Sequence, residues 1–129
     1  MTHPNFDVQA ANDILMSICE LIIRSYREMV WDALALVVDL DEVASMHGYT
    51  YIDNGGWSAN VPAGVGFLEK MKEFRSATGT PGENEWKACL IQIKRADMSL
   101  NVEYEYDDAD RWCITPDNYE QRIEELRPK

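Results

Sequence analysis

Carboxylates are the side chains of this sequence with the clearest capacity for chemistry. No basic residue lies between Arg95 and Arg111, and that stretch holds six acids: Asp97, Glu103, Glu105, Asp107, Asp108 and Asp110. No basic residue lies between Arg27 and Lys70 either, and seven acids occur there: Glu28, Asp32, Asp39, Asp41, Glu42, Asp53 and Glu69. A single acid of this kind is most simply a solvated turn or strand residue. Like charges held together destabilise a fold, so the two clusters as units favour a basic binding partner.

The patterns that would make an enzyme are scarce. Asp107-Asp108-Ala109-Asp110 offers hard oxygen ligands for Mg²⁺ or Ca²⁺, but it lacks the glycine and the later glutamate of an EF-hand loop. The two histidines, His3 and His47, do not have the paired spacing of a zinc site. No nucleophile elbow, phosphate-binding loop or dinucleotide-binding glycine pattern is present, since Gly64-Val65-Gly66 lacks a third glycine. We therefore expect no catalytic residue, no metal site and no cofactor.

Composition limits the class of protein further. The chain has 129 residues with 12 Lys and Arg against 23 Asp and Glu, a net charge of −11, which argues against binding to nucleic acid or to an anionic membrane. The length and the 46% apolar content predict one folded domain over residues 1–129. Three well-separated cysteines, no signal peptide and no apolar run of ~18 residues predict a cytoplasmic protein.

The elements that must position these side chains are visible in the apolar periodicity. Apolar residues three or four apart predict a long helix over Val8 to Val30. Trp31 to Leu40 and Val43 to Ile52 are typical of strands, with Gly48 as a bulge and Asp53 to Gly56 as a turn. Trp57 to Gly66 predicts a loop or a short edge strand.

The second half of the chain also contains both predicted helices and predicted strands. Phe67, Leu68, Met71 and Phe74 predict a short surface helix that ends at Gly79 to Gly82. Trp86 to Lys94 and Met98 to Tyr106 predict an antiparallel hairpin across Arg95 to Asp97. In its second strand Met98, Leu100, Val102, Tyr104 and Tyr106 alternate with polar residues and are expected to face the core. Thr115 is expected to cap a final helix that contains Tyr119, Ile123 and Leu126.

This order of elements indicates an α+β fold. We expect an antiparallel sheet of four to five strands packed with a long N-terminal helix, a middle helix and a short C-terminal helix. If both strand pairs belong to one sheet, the segments Asp39 to Glu42 and Glu103 to Asp110 can share one rim or face. Trp57 is the best candidate for an exposed aromatic anchor. The predicted partner-binding residues are Asp39, Asp41, Glu42, Asp53, Trp57, Glu103, Glu105, Asp107, Asp108 and Asp110.

The hairpin resembles the YezG-like antitoxin and immunity proteins. In that pattern a tryptophan, here Trp86, opens a strand, a short turn follows, and the next strand ends in an aromatic, here Tyr106, followed by Asp107-Asp108. The upstream order is also similar: a long amphipathic helix, a tryptophan (Trp31) that opens a strand pair, and a middle helix. The stretch from Gly55 to Gly66, rich in glycine and containing a proline, departs from the family pattern.

The resemblance implies an immunity protein that binds the toxic C-terminal domain of a bacterial polymorphic or contact-dependent toxin, commonly a nuclease. The family supplies no catalytic residues. The charge distribution agrees with this implication, because a nuclease has a basic cleft that an acidic surface can cover. Two alternatives remain at this point: a small acidic metal-dependent hydrolase that uses Asp107, Asp108 and Asp110, and an adaptor protein in a larger assembly.

Overall fold

The computed structural model describes residues 8–53, 55–62, 66–78 and 85–128. These residues form three helices and one five-stranded sheet, which confirms the α+β class. The elements are α1 (Val8–Ser25), β1 (Ala33–Asp39), β2 (Ser45–Tyr51), β3 (Trp57–Ala59), α2 (Phe67–Thr78), β4 (Ala88–Lys94), β5 (Ser99–Glu105) and α3 (Tyr119–Glu125). All neighbouring strands are antiparallel, in the order β3-β2-β1-β4-β5.

The chain divides into two compact units. The helical unit comprises Met1–Met29 and Pro62–Trp86, and the sheet unit comprises Val30–Val61 and Lys87–Lys129. The expectation of one domain over the whole chain stays a prediction.

In the helical unit, α1 and α2 pack against each other through apolar stripes. Helix α1 ends at Ser25, five residues before the predicted end, and continues into a turn at Tyr26. In α2, Phe67, Met71 and Phe74 are buried at helical spacing. The predicted stop at Gly79 to Gly82 lies outside the described residues.

Trp86 belongs to this helical unit, so the prediction that it opens a strand is wrong. Its side chain is fully buried, and its indole Nε1–H donates to Thr78 Oγ1 at 3.0 Å. Its ring lies 6.3 Å from the ring of Phe74. The strand β4 begins two residues later, at Ala88.

In the sheet unit, the central strand β1 is buried on both faces. A strand of this kind reads as a continuous apolar run, which Ala33 to Val38 is. On one face a single apolar core contains Ala33, Ala35, Val37, Tyr49, Tyr51, Ala88, Leu90, Trp112, Ile123 and Leu126. Two side chains tie the C-terminal segment to this face: Tyr51 donates to the Ile123 carbonyl at 2.6 Å, and Gln92 donates to the Leu126 carbonyl at 2.7 Å.

The predicted hairpin of β4 and β5 is confirmed, but the predicted burial of β5 is only partly right. Leu100, Val102 and Tyr104 share one face, opposite Ile93, Ile91 and Cys89. Val102 and Tyr104 are half-buried, whereas Met98, Leu100 and Tyr106 are exposed. Because β5 is the outer strand of the sheet, its apolar face has a neighbouring strand on one side only.

The predicted helix cap at Thr115 is also wrong. Helix α3 begins at Tyr119, and its preceding residue, Asn118, closes a separate turn. The Asn118 side-chain oxygen accepts the Thr115 backbone N–H at 2.7 Å, and the Asn118 N–H donates to the Thr115 carbonyl at 3.1 Å. Asparagine side chains commonly form such local turns in place of helix.

Gly48 does not form the expected bulge, because its strand is in continuous register with Leu36 opposite it. Its role is to permit a close approach. A Cβ atom at this position would lie 2.5 Å from the Asn60 carbonyl oxygen and 3.0 Å from Leu36 Cδ1.

We therefore expect Gly48→Ala to destabilise the sheet unit by about 1–3 kcal/mol, the usual cost of forcing extra volume into a packed site. Thermal and urea unfolding would measure it. Ser58→Ala, an exposed position on β3, is the control and should change the free energy of unfolding by less than about 0.5 kcal/mol. Equal stability of the Gly48 variant and the wild-type protein would contradict the close approach.

Candidate functional site

The sheet brings the two acidic segments together at one end. Asp39, the last residue of β1, lies opposite Ala88 of β4, and Ala88 lies opposite Glu105, the last residue of β5. Adjacent strands are about 4.8 Å apart, so the chain ends of β1 and β5 are about 10 Å apart. The loops that follow these two strands therefore begin at the same end of the sheet.

A shallow depression of about 460 Å³ lies between these two loops. Its lining in the described part of the chain includes six carboxylates, which we name the acidic sheet end: Asp39, Asp41, Glu42, Asp107, Asp108 and Asp110. The lining also includes one lysine, Lys87. The predicted juxtaposition of Asp39 to Glu42 with the later acidic run is thus present for these six residues.

Some of these carboxylates shape their own loops. Asp39 Oδ1 accepts the Asp41 N–H at 2.9 Å, and Asp108 Oδ1 accepts the Asp110 N–H at 3.0 Å. Glu105 Oε2 accepts the N–H groups of Asp107 and Asp108, each at 3.1 Å. Such turns fix the loop backbone. The neighbouring side chains of Asp41, Glu42 and Asp107 are exposed.

Lys87 links the two loops. Its carbonyl accepts the Leu40 N–H at 2.8 Å, and its own N–H donates to the Glu105 carbonyl at 2.7 Å. Glu105 is also the register partner of Ala88, so two residues of one strand face one residue of the other, as in a β-bulge. The Lys87 ammonium donates to the Asp107 carbonyl at 3.4 Å. Lys87 was not among the predicted site residues. A usable signal was present in the sequence, because Lys87 is a basic residue at the start of a predicted strand whose hairpin partner carries Glu103 and Glu105.

Cys113 reports the electrostatics of the acidic sheet end. Burial raises the pKa of its thiol, as does the contact with Asp110, whose Oδ1 lies 3.5 Å from Sγ. The charges of Asp39 and Asp108 raise this pKa further. Carboxylates from both loops therefore act on the Cys113 sulfur and disfavour its thiolate form.

Glu103 and Glu105 stand apart from the six because Arg111 engages both. Arg111 lies 3.8 Å from the Glu103 carboxylate and 3.3 Å from that of Glu105, and its guanidinium stacks over Trp112 at 4.8 Å from the ring centre. The pKa of Glu105 is lowered by the N–H groups of Asp108 and Asp107 first, and then by Arg111.

Asp53 and Trp57 lie away from the acidic sheet end. Asp53 follows β2 at the opposite end of the sheet, where its N–H donates to Asp32 Oδ2 at 2.7 Å. Trp57 is in the edge strand β3 and is 36% exposed. Its ring packs edge-to-face with Tyr49 and Tyr119 at centroid distances of 6.0 and 6.4 Å.

The remaining candidate residues bear on metal and nucleophile chemistry. Across residues 8–53, 55–62, 66–78 and 85–128, no group of three or more His, Cys, Asp or Glu side chains is placed to hold a metal ion. His47 Nδ1 lies 3.0 Å from the Tyr49 hydroxyl, and burial lowers its pKa despite the opposing effect of Asp39. Burial raises the pKa of the Cys19 and Cys89 thiols. His3 and Gly64 lie outside the described residues.

Neither the scan against protein-family models nor the search of curated proteins gives a match to this chain. The resemblance of the hairpin to YezG-like proteins therefore stays a prediction. Within the described ranges, no helix is both long and apolar enough to cross a membrane.

The lowered pKa of Glu105 gives a testable pH dependence. A carboxylate that is favoured in the folded state stabilises it above the ordinary glutamate pKa of about 4.3, and this contribution is lost as the pH falls through the lower folded pKa. We therefore expect Glu105→Gln to unfold more easily than the wild type at pH 7, with a difference that disappears in acid. Urea unfolding from pH 7 to pH 2 would measure it.

Glu103→Gln is the control for that series. Its carboxylate faces the same Arg111, but no backbone N–H among the described residues donates to it. A Glu103 difference as large and as pH-dependent as that of Glu105 would contradict the role of the loop N–H groups.

A second prediction concerns the Cys113 thiol. Only the thiolate reacts with iodoacetamide, so a raised pKa predicts slow alkylation at pH 8. Asp110→Asn removes the nearest carboxylate and should accelerate alkylation several-fold, as measured by peptide mass mapping that separates Cys113 from Cys19 and Cys89. Asp97→Asn, in the turn at the other end of the sheet, should leave the rate unchanged. The same acceleration in both variants would show that general charge, and not the acidic sheet end, sets the rate.

Proposed function

We propose that this protein is an immunity protein that binds and neutralises the toxic domain of a bacterial toxin, with a basic nuclease as the favoured target. The acidic sheet end covers the basic cleft of that domain and excludes its phosphate-containing substrate. The proposal assigns no catalytic role to any residue of this chain.

One observation carries the proposal: two basic-free stretches, far apart in sequence, meet at one end of the sheet. Random dispersal over the surface would relieve the repulsion among these carboxylates. Their concentration supports a function for the charge, and the partner that rewards such a surface is a cation-lined cleft.

The geometry also supports recognition by preformed loops. Backbone N–H groups are held by Asp39, Glu105 and Asp108, so the loop conformations are fixed before a partner arrives. Preorganisation of this kind lowers the entropic cost of association. Exposed Asp41, Glu42 and Asp107 are then available to the partner.

The partner for a test is the C-terminal domain of the protein encoded directly upstream, since an immunity gene follows its toxin gene. The variant carries Glu42→Lys and Asp107→Lys, one change from each loop. Both side chains are exposed, and neither makes a hydrogen bond or ion pair within the described residues. Their reversal should leave the thermal midpoint nearly unchanged and should also abolish protection of toxin-expressing cells.

Stopped-flow association kinetics would give the quantitative measurement. We expect association at low salt to slow by about tenfold or more, and the difference from wild type to shrink as salt shortens the Debye length to ~8 Å. The control carries Glu20→Lys and Asp117→Lys, two exposed positions with the same change in charge. If both doubly reversed proteins associate and protect equally, the acidic sheet end is not the contact surface. Failure of the wild-type protein to bind or protect would overturn the immunity function with this partner.

A further inference from the structure

The outer edge of β5 exposes backbone hydrogen-bonding groups. The Leu40 N–H bonds to the Lys87 carbonyl, and the Arg95 N–H bonds to the Asp32 carbonyl, so the odd-numbered residues of β4 hydrogen-bond to the β1 side. In an antiparallel ladder the direction alternates along the strand. The even-numbered residues of β4 therefore bond to β5.

The register then determines which groups of β5 point outward. Ser99, Asn101, Glu103 and Glu105 lie opposite the even-numbered residues of β4 and direct their backbone groups toward it. The bond from Lys87 to the Glu105 carbonyl agrees with this phase. The N–H and C=O groups of Leu100 and Val102 consequently point away from the sheet. No other described strand pairs with this edge.

A groove runs beside this edge. It has a volume of about 440 Å³, and its lining includes Gln92, Leu100 and Asn101 together with the charged residues Lys94, Glu103, Glu125 and Arg127. Asn101 donates to the Gln92 side-chain oxygen at 2.9 Å, which fixes part of the lining. An added strand would place its alternate side chains over this groove, as when a peptide extends a sheet.

The charge along the edge limits what can occupy it. Strand β5 carries Glu103 and Glu105, both paired with Arg111, and it has no basic residue of its own. It leads directly into Asp107 and Asp108 of the acidic sheet end, whose side chains form no ion pair within the described residues. A second copy of this chain would bring the same glutamates and another −11 charge against the edge. An extended segment with basic side chains is the complementary occupant.

We infer that the outer edge of β5 binds an extended, basic segment of the protein partner by β-strand addition at Leu100 and Val102. This rests on the proposed function and deepens it. The acidic sheet end and the β5 edge then form one continuous surface, on which the partner contributes both a basic cleft and a strand.

The test uses blocked nine-residue peptides and backbone amide exchange followed by NMR on the full chain. The probe peptide alternates valine with arginine. Without peptide, the Leu100 and Val102 amides should exchange faster than those of Asn101 and Glu103. Saturating peptide should slow the exchange of Leu100 and Val102 by about tenfold or more and leave Asn101 and Glu103 little changed.

Two controls separate strand addition from charge attraction. The same peptide N-methylated at the residues that face β5 keeps its charge but loses the donors, and it should give no slowing. Leu100→Pro removes an N–H that points outward and therefore removes no bond to β4. Proline is tolerated at edge positions of this kind. This variant should lose peptide binding and keep its fold. If it does not fold, the methylated peptide still decides the matter.

Several results would overturn the inference. These are no slowing at millimolar peptide, equal slowing by the methylated peptide, or slowing in the protein alone that grows with its concentration, which would indicate a second copy at the edge. Its failure is distinct from failure of the proposed function. A toxin domain that binds and is neutralised while the Leu100 and Val102 amides stay unprotected would leave immunity intact and exclude the edge.

Discussion

The pairing of β1 on both of its sides is the constraint on which the sheet unit depends. A strand buried on both faces must satisfy every backbone N–H and C=O within the sheet, because no water is available to it. The registers with β2 and β4 do this along the whole of β1. A slip of one residue would exchange its two faces, and the core that contains Ala35 and Val37 would be lost. The same register places Asp39 opposite Ala88, the first residue of β4, and Ala88 lies opposite Glu105, the last residue of β5. The position of the acidic sheet end therefore follows from the packing of the core.

Concentrating carboxylates at that position has a cost that local interactions reduce. Backbone N–H groups of the two loops bond to Asp39, Glu105 and Asp108, and those that bond to Glu105 lower its pKa. Lys87 and Arg111 add positive charge at the sides of the cluster. These contacts use one set of carboxylates to build the loops and leave the others exposed. The division explains how a densely acidic surface can coexist with well-formed loops.

Much of the fold followed from periodicity, whereas its details depended on tertiary contacts. The apolar run of β1 and the alternation in β5 are local patterns, so both strands and the hairpin could be predicted. The fate of Trp86 could not, because its burial with Phe74 and its bond to Thr78 involve a preceding helix. The later start of α3 could not be predicted either, because the Asn118 side chain accepts the Thr115 N–H in a separate turn, and helix propensity does not reveal that bond. For the site, the two stretches without basic residues identified both acidic segments in the sequence. The strand order, which the sequence does not give, places these segments together. The register of β1 with β2 places Asp53 at the other end of the sheet.

The two parts of the proposed surface differ in their physics, and that difference has kinetic consequences. Exposed carboxylates act over a Debye length and therefore influence how often partners meet, an effect that salt weakens. Backbone hydrogen bonds along an edge strand act only at contact distance, so they influence how long the complex lasts. Because Glu105 ends β5 and its carboxylate shapes the loop of Asp107 and Asp108, the long-range and short-range parts are joined by a single residue. In the proposed complex, a partner bound at the acidic sheet end therefore lies next to the outer edge of β5.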